Sequence, residues 1–178
     1  GTEGRIALLG HSMATDVITR VAIEDEISTV VGISMYSKAV SSIAPERLLM
    51  ISGQGERHLR DAALHAMAMV GASGEGDTVL KGSLARRAVV APGVEHVGVL
   101  YSKTAKQEAL AWINAAYERE RAPAVALTGL WIAITLAGVM ALGWPLAKSL
   151  PEGAAPLSIP TRTFWIATLF PACLLYTS

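Results

Sequence analysis

The sequence predicts an α/β domain, a partial doubly wound parallel sheet, followed by one or more transmembrane helices. Charge is the first observation. Of 15 Lys+Arg and 15 Asp+Glu, only Lys148, Glu152 and Arg162 lie beyond Arg121, so residues 1–121 are about 22% charged and the remainder about 5%. The first value is ordinary for a globular domain and the second is far below it. The second observation is that, before Arg121, uniformly apolar runs alternate with helix-period segments, as in parallel sheets covered on both faces. The third is an uncharged stretch between Arg121 and Lys148 that is long enough to cross a bilayer.

Taken in order, Arg5 to Leu9 (RIALL) predicts a strand ending in a turn at Gly10, and Asp16 to Ala22 follows with helical spacing. Thr29 to Ser34 (TVVGIS) and Arg47 to Ser52 (RLLMIS) predict two more buried strands, separated by the mixed segment Met35 to Glu46. Arg57 to Val70 predicts a helix with Leu59, Ala62, Ala63, Ala66, Met67 and Val70 on its apolar face. Gly71 to Gly82, with four glycines, predicts a loop. Arg86 to Ala91 (RRAVVA) predicts a fourth strand, stopped by Pro92-Gly93. A last helix over Lys103 to Glu118 buries Ala109, Leu110, Trp112, Ile113 and Ala116. Met50, Met67 and Met69 read as core filling. Four strands make an incomplete sheet, and the chain opens on Gly1 and stops inside an apolar run. It therefore reads as the later portion of a domain within a longer protein.

The organisation expected is a folded portion over 1–121, a membrane helix within 122–147, a loop over 148–162 and a truncated second membrane helix over 163–178. Ala124 to Trp144 would span about 31 Å as a helix, against a bilayer core of about 30 Å. Pro123 and Pro145 bracket it, and Trp144 and Trp165 are placed as interface anchors. The composition implies an integral membrane protein of bacterial inner-membrane type. Arg119 and Arg121 on one flank balance Lys148 and Arg162 on the other, so the charge rule assigns no orientation.

Composition also excludes functions. Acidic residues slightly outnumber basic ones in residues 1–121 and form no basic stripe, which argues against a nucleic-acid partner. The single cysteine, Cys173, rules out a disulfide framework and a cysteine zinc site. It lies in CLLYTS, which resembles translated adapter sequence, so no chemistry is attached to it. His58, Asp61 and His65 share one helix at spacings that could hold a metal, but polar residues on an exposed face explain them better, and neither a metal nor a cofactor is implied.

Gly10-His11-Ser12-Met13-Ala14 fits G-x-S-x-small between a predicted strand and a predicted helix. Gly32-Ile33-Ser34 and Gly71-Ala72-Ser73 also offer G-x-S, but Tyr36 and Glu75 stand where the small residue belongs. Only Ser12 has the context in which a strained turn lifts a serine oxygen clear of a sheet and a helix start aims free amides at it. His11, beside it, reads as a packing or hydrogen-bonding residue.

RIALLGHSMATDVITRVA resembles the nucleophile elbow of the α/β-hydrolase fold esterases and lipases, whose usual form is G-H-S-M-G, with Ala14 replacing the last glycine. The strand ending at Gly53 resembles the family's acid position. RRAVVAPGVEHVGVLYS with the helix after it resembles the last strand, histidine loop and closing helix. The resemblance covers residues 4–118 in the order serine, acid, histidine. It implies Ser12 as nucleophile, His96 as its base, Glu56 as the acid with Asp61, Asp77 and Glu95 as rivals, and the Met13 amide as one oxyanion donor. The family's second donor comes from a loop after an earlier strand, which this chain does not carry. The implied activity is hydrolysis of carboxylic esters or thioesters through an acyl-enzyme, anchored at a lipid bilayer, with this portion expected to be inactive by itself. Where the family often inserts a lid, Met35 to Glu46 is short, which suggests an open site for small or medium acyl groups. Ala14 and the undecided acid leave a competing reading, an inactive hydrolase-like domain that binds or scaffolds within a membrane protein. A third, a transporter with a soluble appendage, requires further spans. Oligomeric state is left open.

Overall fold

The structure, a computed structural model, describes residues 6–72, 74–120, 126–150 and 160–167. It is mixed α/β, built on a five-stranded, mostly parallel sheet. β1 (Ala7–His11), β2 (Thr29–Ile33), β3 (Arg47–Gly53) and β5 (Leu84–Ala91) are parallel neighbours in that order. β4 (Thr78–Lys81) runs antiparallel on the far edge beside β5.

Successive residues of each strand serve opposite faces. Val31, Ile33, Leu49, Ile51 and Val89 pack with Ala105, Ala109 and Trp112 of α3 (Lys103–Tyr117). Val30, Leu48, Met50 and Ala88 pack with Ala22 of α1 (Ala14–Glu24) and with Ala63, Ala66 and Met67 of α2 (Arg57–Ala68). Helices on both faces explain why Val30 to Ile33 of β2 and Leu48 to Ile51 of β3 are apolar on both sides.

The elements depart from the sequence expectations in several places. The glycine-rich stretch is not all loop, because Thr78–Lys81 pairs with Leu84–Arg87 through a two-residue turn in which Gly82 takes φ 62. That strand is short and mostly exposed, so it carries no buried pattern, and its stability comes from the pairing with β5. β1 runs on through Gly10 and His11, moving the turn to Ser12 and Met13. Met69 is 39% exposed, unlike the buried Met50 and Met67, and it lines an outer cavity beside His65 rather than the core.

Arg86 was expected only as a strand residue, yet it is fully buried with no carboxylate partner among the described residues. Burial lowers its pKa. Its Nη1 donates to Ala66 O at 3.1 Å and its Nη2 to Ser41 O at 2.8 Å, so one guanidinium ties the end of α2 and the β2–β3 connection to the sheet.

The chain divides into two compact units, one through Ile132 and one from Ala133. The helix α4 (Thr128–Ser149) is apolar around its whole circumference, unburied, and long enough to cross a membrane. Pro145 lies inside α4 rather than ending it, and the helix continues to Ser149, past the expected loop boundary at Lys148. Proline forfeits an intrahelical hydrogen bond but keeps a helical φ, so a helix can pass through one. Residues 161–167 are helical and include the exposed Trp165. The remainder of the second apolar run, with Cys173, lies outside the described residues, as do Pro123 and Glu152.

Candidate active site

Ser12 owes its position to the turn from β1 into α1. It takes φ 56, in the left-handed region that costs a non-glycine residue about 1–2 kcal/mol. Neighbouring elements hold it there. The Ser12 amide donates to Ile33 O of β2 at 3.0 Å, and the buried Thr15 hydroxyl donates to Ser12 O at 2.6 Å while its oxygen accepts the Tyr36 amide at 3.2 Å. Gly10 lets strand and helix approach closely. A Cβ there would meet Ile18 Cδ1 at 2.9 Å and the Ala14 backbone at 3.3 Å. Ala14 itself is exposed, so its methyl group does not crowd the elbow. Met13 is the N-cap of α1, and its amide belongs to the donors that a helix start leaves without an intrahelical partner.

Glu56 and His96 come from two other loops at the same end of the sheet, Glu56 after β3 and His96 after β5. Those loops are stitched together: Gln54 N donates to Ala91 O at 3.0 Å, Gly55 N to Val94 O at 3.1 Å, and Gly93 N to the Gln54 side-chain oxygen at 2.8 Å. A Cβ on Gly53 would stand 2.7 Å from Val94 O, so only glycine lets the acid loop lie this close to the histidine loop.

The three side chains meet. His96 Nε2 lies 2.8 Å from Ser12 Oγ, and His96 Nδ1 lies 2.6 Å from Glu56 Oε1. With Nδ1 donating to the carboxylate, Nε2 is left as an acceptor for the serine proton. The Glu56 side chain is only 5% exposed, and its other oxygen, Oε2, accepts the Gly53 amide at 2.6 Å and the Ser34 hydroxyl at 2.9 Å. His11 Nε2 donates to His96 O at 2.8 Å and its ring centroid lies 4.8 Å from that of His96, so it braces the histidine loop.

The rival acids are used elsewhere. Glu95 accepts the Val97 and Gly98 amides of its own loop at 2.8 and 2.9 Å, and Asp77 accepts the Gly74 amide at 2.9 Å. Asp61, with His58 and His65, lines a separate cavity of about 420 Å³ beside Tyr36 and Lys38. Among the described residues no group of three His, Cys, Asp or Glu side chains is placed to hold a metal. Ser34 has the geometry of a site residue, and sequence reasoning missed it. Its G-x-S match failed the elbow pattern, and the available signal was its place directly after a buried strand.

An open cavity of about 430 Å³ lies over Ser12 and His96, lined also by Met13, Asp16, Arg20, Ser34, Tyr36, Lys38 and Leu59. Asp16 is tied to Arg20 Nε at 2.7 Å and to the Ser37 hydroxyl at 2.7 Å, and these two contacts, Arg20 first, lower its pKa. Its carboxylate is thereby occupied at the cavity wall. No family model, curated protein or solved structure matches the chain.

Proposed function

We propose that this chain is part of a membrane-anchored serine hydrolase of α/β-hydrolase type that cleaves carboxylic esters or thioesters. The observation that carries the reading is the relay Ser12 Oγ, His96, Glu56 at 2.8 and 2.6 Å, with Ser12 held at φ 56. Ser12 Oγ attacks the acyl carbon while its proton passes to His96 Nε2, and Glu56 stabilises the imidazolium. The tetrahedral oxyanion takes the Met13 amide as one donor. Collapse breaks the bond to the leaving oxygen or sulfur, which departs with the proton from His96. Water then attacks the acyl-enzyme by the same route, releasing the acid and free Ser12.

The open cavity and the short Met35 to Glu46 connection favour small and medium acyl groups. Short-chain p-nitrophenyl esters are expected to be turned over at a kcat/KM at least tenfold above that for long-chain ones. A preference for long-chain triglyceride would contradict this.

The apolar α4 supports the anchor. In alkaline carbonate extraction the protein is expected to stay with the membrane pellet, and release into the supernatant would remove the anchor from the reading. Activity itself is tested by fluorophosphonate labelling of Ser12. A folded protein that does not label would favour the inactive binding or scaffold domain.

A further inference from the structure

Each parallel strand delivers one polar side chain to the cluster at its carboxyl end, and Ser34, directly after β2, is the fourth. It is 1% exposed and takes φ 51, a conformation that glycine would adopt without strain. Its amide is locked to Ile51 O of β3 at 2.7 Å, and its hydroxyl donates to Glu56 Oε2 at 2.9 Å. A strained, buried serine whose hydroxyl serves a carboxylate points to a role for that hydroxyl.

We infer that Ser34 is a positioning residue that acts through Glu56. A glutamate reaching His96 has one more rotatable bond than an aspartate, so its carboxylate has to be fixed against rotation. Ser34 and the Gly53 amide hold Oε2 from two sides, which leaves Oε1 directed at His96 Nδ1 at 2.6 Å. With Oε2 unclamped, the carboxylate turns and the imidazole loses its fixed tautomer and orientation. Ser34 borders the cavity over Ser12, but its hydroxyl is committed to Glu56 Oε2 at 2.9 Å, so its effect falls on kcat rather than on substrate binding.

The inference rests on the hydrolase reading, and the test separates the two. In the full chain, Ser34→Ala and Ser34→Gly both remove the hydroxyl, but glycine suits φ 51 and keeps the fold. Both variants are expected to slow fluorophosphonate modification of Ser12 and to lower kcat by about ten- to a hundredfold, with KM within about twofold of the parent. Placed on Glu56→Gln, either should add less than about a further twofold, because the group it positions has already lost its charge. A Ser34→Gly protein that labels as fast as the parent overturns the inference alone, as does a loss that multiplies fully on Glu56→Gln. A parent protein that does not label overturns the hydrolase reading and this inference with it.

Discussion

His96→Ala is expected to lower kcat for a short-chain ester by about a million-fold while leaving KM nearly unchanged. The imidazole is the only base within reach of Ser12 Oγ among the described residues, at 2.8 Å. At neutral pH an unassisted serine hydroxyl keeps its proton, so the attack loses its driving partner. His11 cannot substitute, because its Nε2 is committed to His96 O at 2.8 Å. Steady-state kinetics on the full-length protein, with circular dichroism to show that the variant is folded, check the effect. A loss of less than about a hundredfold would mean that His96 is a loop residue beside the serine and not its base.

The second large effect is at the acid. Glu56→Gln keeps the size of the side chain and its contact with the Gly53 amide, but removes the charge that stabilises the imidazolium. An uncharged amide can also present N–H to Nδ1, which favours the wrong imidazole tautomer. About a ten-thousand-fold fall in kcat is expected, with KM again nearly unchanged. Replacing Asp61 or Asp77 by the amide should leave kcat within about threefold of the parent, and Glu95→Gln, which alters a carboxylate that accepts the Val97 and Gly98 amides of the histidine loop, should cost far less than Glu56→Gln. If Glu95→Gln gave the larger loss, the acid would have been assigned to the wrong side chain.

The parts of the fold legible in the sequence are those in which burial writes the pattern. The centres of β2 and β3, Val30 to Ile33 and Leu48 to Ile51, are buried on both faces and appear as short apolar runs, while α2 and α3 show the spacing of one covered face. Where stability comes from a partner strand instead, as in β4, the four residues Thr78–Lys81 look like more of the surrounding loop. The Gly82-Ser83 turn was the available hairpin signal. Pro145 illustrates the reverse problem, since a residue that commonly ends helices sits within α4.

At the site, a strand, a turn and a helix in immediate succession made Ser12 legible. Glu56 was favoured by its place after the strand ending at Gly53, but separating it from Glu95 needs the packing of two loops through Gly53, a contact between residues far apart in the chain. Ser34 was least legible. Its hydroxyl acquires a role only when the sheet brings the end of β2 beside the end of β3.

The most direct test of the central claim is the mass of the intact protein after treatment with a fluorophosphonate. The full-length parent is expected to gain one adduct, mapped to Ser12 by peptide sequencing, and Ser12→Ala to gain none. A folded parent without an adduct, or an adduct that persists in Ser12→Ala, would contradict the assignment of Ser12 as the nucleophile.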